Sequence, residues 1–250
     1  MKSVLITGCS SGFGLETAKL FLERGWRVVA TMRTPSNDVL PPAPNLLLLK
    51  LDVTDPASIA EAISAAGDID VLVNNAGIGW LNALEGTSID TARRIFETNT
   101  FGTMAMCQAI LPQFRDRTSG TIVNVTSTVT LKSLPLLSIY TASKAAVNAF
   151  SESFAIEVQP FNIKVKIVLP GLAPDTQFGA NAFAQMPEGL NFPEPYAELG
   201  QAVMAGFSGP HEEITRAIDV AEAVWEAATN DAAPGRIPAG ADAVTVFNEA

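Results

Sequence analysis

Short apolar runs alternate with longer stretches of helical periodicity along the first two thirds of the chain. The apolar runs predict six buried strands, at residues 4–6, 27–32, 46–51, 69–73, 121–125 and 163–168. Stretches between them, such as residues 15–22 and 103–115, repeat their apolar positions at the spacing of a helix. Strands and helices that alternate in this way predict an α/β fold, with a doubly wound parallel sheet of about seven strands and helices on both faces.

The pattern changes after the sixth predicted strand. Residues 172–210 are rich in Pro, Gly and Phe and show weak periodicity, which favours a lid or substrate loop over a second domain. Residues 212–229 predict a further helix, and residues 242–247 predict a last short strand. A chain of 250 residues that is 48% hydrophobic can build one large core, so we expect a single domain over residues 1–250.

Charge and composition narrow the classes of function. A net charge of -10 argues against a nucleic-acid partner or an anionic membrane surface, and no apolar run approaches the roughly 20 residues of a membrane span. The chain enters a strand at once, which leaves no room for a signal peptide, and Cys9 and Cys107 suggest no disulfide framework, so we expect a cytoplasmic protein. A single histidine, His211, argues against a His-based triad or a multi-His metal site, and no metal is predicted.

A glycine-rich turn links the first predicted strand to the first predicted helix. It reads Thr7-Gly-Cys-Ser-Ser-Gly12-Phe-Gly14, and such a turn brings backbone N–H groups and a helix N-terminus against a phosphate. Its spacing, Gly-x3-Gly-x-Gly, differs from the G-x-G-x-x-G fingerprint, and it lacks the Gly-Lys-Ser/Thr of a P-loop ATPase. The alternative is a turn that merely needs glycine.

The ends of the next strands carry polar residues. Arg33 follows the second strand, where dinucleotide folds place an acid for the ribose 2′-hydroxyl or a basic residue for a 2′-phosphate. No acidic residue occurs between Arg24 and Asn37, so Arg33 favours NADP(H) over NAD(H), although a solvated loop arginine is the alternative. Asp52 ends the third strand, where it could reach an adenine ring, and Asn74 ends the fourth, where we prefer a structural role.

The segment from Ser127 to Lys144 carries the candidate chemistry. Tyr140 and Lys144 are four residues apart on a predicted helix, so the phenol and the ammonium are neighbours on one face. A nearby ammonium is expected to lower the pKa of the phenol from about 10 toward neutral, which would let it exchange a proton near pH 7. Ser127 ends the fifth strand, which could bring its hydroxyl beside the phenol. An ordinary pair on a helix surface is the alternative.

Taken in order, these segments resemble the short-chain dehydrogenase/reductase family over nearly the whole chain. The resemblance is carried by Thr7-Gly8-x3-Gly12-Phe13-Gly14, Asn74-Asn75-Ala76-Gly77, Asn99, Ser127, Tyr140-x3-Lys144 and Pro170-Gly171. A finer likeness to hydroxysteroid and retinol dehydrogenase-like members rests on Gly12-Phe13-Gly14, Ala30-Thr-Met-Arg33 and Arg236-Ile-Pro-Ala-Gly240-Ala-Asp-Ala. The resemblance implies a Rossmann-type fold, an NADP(H)-dependent oxidoreductase that acts on an apolar alcohol or carbonyl compound, and a homodimer or homotetramer.

The resemblance also implies four catalytic roles. Tyr140 is the expected general acid in carbonyl reduction and the base in alcohol oxidation. Lys144 is expected to lower the pKa of Tyr140 and to bind the nicotinamide ribose, and Ser127 to hold the substrate oxygen as charge develops on it. Asn99 is expected to anchor a water that links Lys144 to solvent.

The expected binding residues form two sets. Those for the cofactor are Gly8, Ser10, Ser11, Gly12, Phe13, Gly14, Arg33, Asp52, Val53, Asn75, Ala76, Gly77, Tyr140, Lys144, Pro170, Gly171 and Thr176. Those for the substrate pocket and lid are Trp80, Leu134, Leu137, Phe178, Phe183, Phe192 and Tyr196, about half of which could be plain core instead.

The chain departs from the family pattern in two places. The family often has Thr five residues after the first residue of Pro170-Gly171; here Asp175 holds that place and Thr176 follows, so the contact to the nicotinamide carboxamide is open between the two. The usual Gly-rich final strand is absent. The alternative function is a catalytically idle NADP(H)-sensing binding protein of the same fold, but such members tend to lose the Tyr or the Lys, and both are present.

Overall fold

The computed structural model describes residues 1–184 and 192–250, with only the backbone for residues 183 and 184. In this part of the chain one sheet contains seven strands, β1 (Ser3–Thr7), β2 (Arg27–Met32), β3 (Leu46–Lys50), β4 (Val71–Asn74), β5 (Gly120–Val125), β6 (Ile163–Pro170) and β7 (Arg236–Ala239). All pair in parallel, in the order β3-β2-β1-β4-β5-β6-β7. The α/β class and the doubly wound parallel sheet are confirmed.

Helices cover both faces of the sheet. Those in the described ranges are α1 (Gly12–Glu23), α2 (Pro56–Ala66), α3 (Ile89–Phe96), α4 (Gly102–Asp116), α5 (Ser138–Val158), α6 (Gln177–Ala184), α7 (Ala197–Ser208), α8 (Ala217–Thr229) and α9 (Ala241–Glu249). A π-helical turn, Glu97–Phe101, joins α3 to α4. No helix in these ranges is both long enough and apolar enough to cross a bilayer.

The strand residues divide between two cores because successive side chains of a strand point to opposite faces. On β1, Val4 and Ile6 belong to the core that α1 and α8 close, whereas Leu5 belongs to the core that α2, α4 and α5 close. Strands buried on both faces are typical of parallel sheets, which explains their nearly continuous apolar runs. The first six strands were predicted to within two residues at either end.

The last third of the chain differs from its prediction. Residues 242–247, predicted as a strand, lie in helix α9, and the seventh strand is Arg236–Ala239 instead. Gly240, with φ +106°, separates the two elements in a backbone conformation that favours glycine. Helix α8 begins at Ala217 rather than near residue 212, because Arg216 caps it through its N–H to Asp219 Oδ2 at 2.9 Å. The segment 172–210 contains helices α6 and α7, which its weak periodicity did not predict.

Candidate active site

The predicted motifs meet at one edge of the sheet. Because the strands are parallel, the ends of β1, β4, β5 and β6 lie together, and the strand order reverses between β1 and β4. Ligands of open α/β sheets bind at such a switch point, beyond the carboxyl ends of the strands. The segments that follow these four ends are the glycine turn, Asn75–Gly77, Ser127 and Gly171.

The glycine turn forms a cradle that side chains would fill. Gly8 and Gly12 have φ values of +75° and +57°. A Cβ on Gly14 would collide with the carbonyl of Gly8 and the amide of Asn75. Ser11 precedes α1 without a side-chain cap, so the first turn of the helix presents uncapped N–H groups. A close backbone approach and a bare helix N-terminus fit the phosphates of a dinucleotide.

The second strand end is tied to this cradle. Thr7 Oγ1 accepts from the N–H groups of Asn75 at 3.0 Å and Ala76 at 2.9 Å, while Asn75 Nδ2 donates to Thr7 O at 2.9 Å. The expected residues Asn75 and Ala76 therefore lie beside the glycine turn. The sequence motif contains Thr7 but indicates no role for it; its position at the end of β1, directly before Gly8, is the signal that could have found it. Of the other expected residues, Ser10 is exposed, and Phe13 packs on the core of α1 and α8.

Arg33 and Asp52 follow β2 and β3, two neighbouring strands. Asp52 Oδ1 accepts from the N–H of Thr54 at 2.9 Å and from its hydroxyl at 2.7 Å. These bonds lower the pKa of Asp52, and the nearby Arg33 lowers it further. Arg33 is exposed, and within the described residues its side chain shows no hydrogen bond. Val53 is buried against Gly102 at the start of α4, where an added Cβ would lie 2.8 Å from Val53 Cγ2.

The structure brings together the predicted catalytic side chains. Ser127 follows β5 and caps a short turn, with its Oγ accepting from Val129 N at 3.3 Å. Tyr140 and Lys144 lie one turn apart on α5, and the Ser127 hydroxyl is close enough to the Tyr140 phenol to lower its pKa. Lys144 Nζ donates to Val125 O at 3.0 Å. The exposed fractions of Ser127, Tyr140 and Lys144 are 8%, 7% and 5%, so all three are shielded from water.

The predicted lowering of the Tyr140 pKa is wrong for this structure. Burial raises the pKa of the phenol above its usual value, and the neighbouring Ser127 hydroxyl offsets this only in part. Burial also lowers the pKa of Lys144 from 10.5 to about 8, because the charged form loses its hydration. Burial thus shifts both side chains toward their neutral forms, although Lys144 with a pKa of about 8 still carries its proton at pH 7.

Asn99 lies in the π-helical turn, an irregularity often found at functional sites. Its Oδ1 accepts from Ile78 N at 2.8 Å, and its Nδ2 donates to Ile78 O and to Ser143 Oγ, both at 3.0 Å. A Cβ on Gly77 would lie 3.2 Å from Asn99 Oδ1 and 3.3 Å from Lys144 Nζ. Asn99, Gly77 and Lys144 therefore converge, whereas Asn74 bonds to Asn124 Oδ1 at 2.9 Å inside the sheet, as a structural residue.

The loop after β6 closes the other side of the cradle. Thr176 Cβ would be 3.7 Å from a Cβ on Gly12, which puts Thr176 against the glycine turn. Its hydroxyl donates to Ala173 O at 2.9 Å. Asp175 is exposed. Pro170 is buried at the end of β6, and Gly171 N donates to Thr215 Oγ1 at 2.9 Å.

The expected substrate residues separate into two groups. Trp80 is buried in an apolar cluster against which Leu137, Phe192 and Tyr196 pack. Its indole N–H donates to Thr87 Oγ1 at 2.9 Å, and Glu85, near the Tyr196 hydroxyl, raises the pKa of Tyr196.

Phe178 lies outside that cluster, 5.7 Å from Tyr140 between ring centroids. Leu134 is exposed, and the side chain of Phe183 lies outside the described residues. Gly79, which sequence reasoning missed, meets Phe178 directly: a Cβ there would be 2.9 Å from its ring. No local pattern indicates this contact, because it joins residues almost one hundred positions apart.

Comparison with known proteins agrees with this arrangement. Residues 2–187 match the short chain dehydrogenase family. The chain is 42% identical over 172 residues to a 3-ketodihydrosphingosine reductase of Bacteroides thetaiotaomicron, a match that covers 67% of this chain and 62% of that protein. It is 38% identical over 196 residues to retinol dehydrogenase 8 of Homo sapiens, covering 74% and 63%. The matched stretches thus span less than two thirds of these relatives.

Solved structures match over more of their length. A short-chain dehydrogenase from Streptomyces avermitilis gives a TM-score of 0.82 at 33% identity, over 99% of this chain and 91% of that one. A serine dehydrogenase complexed with NADP+ gives 0.82 at 26% identity, over 95% and 94%. A 3-ketoacyl-(acyl-carrier-protein) reductase from Brucella melitensis complexed with NADH gives 0.77 at 26%, over 95% and 96%. The chain therefore belongs to the short-chain dehydrogenase/reductase family of oxidoreductases.

Proposed function

We propose that this protein is an NADP(H)-dependent oxidoreductase that transfers a hydride between the nicotinamide and the carbon of an apolar alcohol or carbonyl compound. The observation that carries the proposal is the buried group of Ser127, Tyr140 and Lys144 at the same sheet edge as the glycine cradle. A proton donor, an orienting hydroxyl and a cation are what carbonyl reduction requires beside a hydride source. The bound nicotinamide supplies that hydride.

In this proposal four side chains have defined roles in the reaction. Tyr140 donates the phenol proton to the carbonyl oxygen as the oxygen gains charge, and takes it back in alcohol oxidation. Ser127, whose hydroxyl lies near the phenol, holds the same oxygen. Lys144, one turn after Tyr140 on α5, holds the nicotinamide ribose. Asn99 keeps the backbone of Ile78 in place and anchors the water that returns a proton to Lys144.

The proposed cofactor-binding residues lie around the glycine turn. The turn of Gly8, Gly12 and Gly14 receives the diphosphate, and Asp52 and Val53 border the adenine. Thr176, which lies against Gly12, is a better candidate than the exposed Asp175 for the nicotinamide carboxamide. NADP(H) is favoured over NAD(H) by Arg33, whose guanidinium is exposed at the end of β2, where a 2′-phosphate would lie. Structural relatives include complexes with NADP+ and with NADH, so the preference of this protein is argued from Arg33 alone.

The substrate preference follows from the apolar cluster of Trp80, Leu137, Phe192 and Tyr196, and from Phe178 beside Tyr140. The two curated relatives are named for retinol and 3-ketodihydrosphingosine, both molecules with long apolar chains. The segment 172–210 is the proposed lid and Leu134 a further proposed pocket residue, whereas the side chain of Phe183 lies outside the described residues. The homodimeric or homotetrameric state and the cytoplasmic location remain predictions.

The test is NADPH consumption by the purified protein with a panel of bulky apolar ketones and aldehydes and a small charged 2-keto acid. We expect turnover with apolar members and a kcat/KM for the best of them about tenfold or more above that for the 2-keto acid. Equal or better kcat/KM for the 2-keto acid would contradict the substrate class. Binding of NADPH with no turnover on any member would favour the idle, cofactor-sensing protein instead.

A further inference from the structure

A network of polar contacts joins the start of helix α9 to the loop that follows β6. Asp242 accepts from the N–H of Leu172 through Oδ2 and from the hydroxyl of Thr215 through Oδ1, both at 2.6 Å. Thr215 Oγ1 accepts from Gly171 N at 2.9 Å and lies 2.8 Å from Ala239 O. Thr215 N donates to Leu172 O at 2.8 Å. We call Thr215 and Asp242 the C-terminal latch.

The latch is built into the surrounding backbone. Thr215 is completely buried. A Cβ on Gly171 would collide with the Asp242 carboxylate, and one on Gly240 would collide with the Thr215 hydroxyl. Asp242 lies in the first turn of α9, where the helix dipole favours a negative charge. Glycine at positions 171 and 240 thus makes room for these two side chains.

The contacts of the latch end on one short stretch of backbone. The N–H of Gly171 and both backbone groups of Leu172 bond to Thr215 or Asp242. Helix α9 itself buries little, since Ala243 is its one buried residue. Its polar contacts, rather than apolar packing, are therefore what connect it to the β6 loop.

We propose that Thr215 and Asp242 are positioning residues that hold the Gly171–Leu172 backbone in the shape that receives the nicotinamide half of the cofactor. This inference rests on the proposed function, in which Thr176 is the candidate for the nicotinamide carboxamide, and on Pro170 and Gly171 being cofactor residues, as the sequence predicts. A loop fixed before binding loses little conformational entropy when the cofactor arrives, whereas a loose one must be ordered at that moment. The latch therefore acts on cofactor affinity and not on proton transfer.

The experiment uses the full chain and five variants. Thr215→Val and Asp242→Ala remove the latch, and Thr215→Ser keeps the hydroxyl and should rescue it. Asp242→Asn is a milder variant that keeps an acceptor for Leu172 N–H. The matched control is Thr245→Val on the same helix, which removes a hydrogen bond of 2.7 Å to Glu213 that does not reach the loop.

Two measurements are made on each variant. The first is the NADPH Kd by fluorescence titration; the second is amide hydrogen exchange of residues 171–173 in the cofactor-free protein, which needs no activity. We expect Thr215→Val and Asp242→Ala to weaken NADPH about tenfold and Asp242→Asn about threefold, with faster exchange at 171–173 in each. Thr215→Ser and Thr245→Val should match the wild type. KM for NADPH should rise, while kcat at saturating NADPH changes less than about threefold.

A lower thermal midpoint with an unchanged NADPH Kd and unchanged local exchange would overturn the inference and leave the latch a purely structural contact. If Asp242→Ala does not fold, Asp242→Asn and Thr215→Ser are compared by the same two measurements. A weaker NADPH Kd and faster exchange in Asp242→Asn, with wild-type values in Thr215→Ser, support the inference; wild-type values in both overturn it. Failure of the wild type to bind NADPH or NADH would overturn the proposed function together with this inference. Normal binding by the wild type and by all variants would overturn the inference alone.

Discussion

The ring of Phe178 lies 5.7 Å from the ring of Tyr140, centroid to centroid, with the two planes tilted by 55°. Helix α6 carries Phe178 and reaches this position because Gly79 has no side chain: a Cβ there would be 2.9 Å from the Phe178 ring and 3.0 Å from Ala182 Cβ. Phe178 is 39% exposed, whereas Tyr140 is 7% exposed. We infer that α6 covers the Tyr140 phenol and that, in the proposed function, a substrate reaches Tyr140 past Phe178.

Gly79→Ala tests this contact. The new methyl group must displace Phe178 and Ala182, so we expect a rise of about threefold or more in the KM of an apolar substrate, with a smaller effect in a Phe178→Ala background. Gly179→Ala is the matched control in α6, since a Cβ there meets no atom within 4 Å. Steady-state kinetics of the wild type, Gly79→Ala, Phe178→Ala and the double variant measure the coupling between the two residues. Equal effects of Gly79→Ala with and without Phe178 would show that the two residues act independently.

Tyr140→Phe separates chemistry from binding. The substitution removes the phenol proton but keeps the ring, so turnover should fall more than about tenfold, which corresponds to about 1.4 kcal/mol of transition-state stabilisation. The NADPH Kd should remain nearly unchanged. Lys144→Ala should impair both, because Lys144 also holds the ribose in the proposed function. Retention of more than about a tenth of the wild-type kcat by Tyr140→Phe would remove the acid–base role.

The buried Lys144 predicts a pH dependence of stability in the cofactor-free protein. Its pKa falls from 10.5 to about 8 on folding, so above pH 8 the unfolded chain holds a proton that the folded protein has released. Stability therefore rises with pH over this range, by at most about 1.4 kcal/mol per pH unit. Burial raises the pKa of Cys9 and Cys107 from 9.0 to about 12, which acts in the opposite direction above pH 9. The net gain is expected between about pH 8 and 9.

Urea unfolding of the wild type and of Lys144→Met at about pH 7, 8 and 9 measures this effect. Met keeps an apolar chain of similar length and cannot titrate, whereas both cysteines are present in both proteins. The free energy of unfolding of the wild type should therefore rise relative to that of the variant between pH 8 and 9. A constant difference over the whole range would show that Lys144 keeps its ordinary pKa in the fold.

Local sequence patterns predicted the strands of the sheet and the shared helix of Tyr140 and Lys144 well, because both depend on spacing within one element. Strand β2 coincides with residues 27–32, and Tyr140 and Lys144 lie on one helix. The pattern failed at residues 242–247, since a short run of apolar and β-branched residues fits a strand as well as a helix. In the structure β7 ends at Ala239, Gly240 follows, and residues 242–247 form part of α9.

Properties that depend on tertiary structure could not be predicted from local sequence patterns. The pKa of Tyr140 depends on how much protein surrounds the phenol, which no spacing indicates, and burial reversed the predicted direction. The contact of Thr215 with Asp242 joins residues 27 positions apart, and that of Gly79 with Phe178 joins two distant segments. The roles of Asn99, Ser127, Tyr140, Lys144 and Arg33 stay predictions.

Arg33→Ala tests the cofactor preference. NADP differs from NAD by one phosphate on the adenosine ribose, and an acidic residue at the end of β2 would repel that phosphate. Here Met32 ends β2 and the exposed Arg33 follows, with Asp52 Oδ1 already bonded to Thr54. A guanidinium forms paired, charge-assisted hydrogen bonds to a phosphate, worth roughly 1.5–3 kcal/mol, or about 10- to 150-fold in affinity.

We therefore expect the wild type to prefer NADPH over NADH by about tenfold or more in kcat/KM, and Arg33→Ala to use both about equally. Arg33→Lys should retain part of the preference, because it keeps the charge but loses the paired geometry. Arg93→Ala, which removes an exposed arginine that pairs with Asp90 on α3, is the control and should leave the ratio unchanged. Equal use of the two cofactors by the wild type, or an unchanged ratio in Arg33→Ala, would make Arg33 a solvated loop residue with no part in cofactor choice.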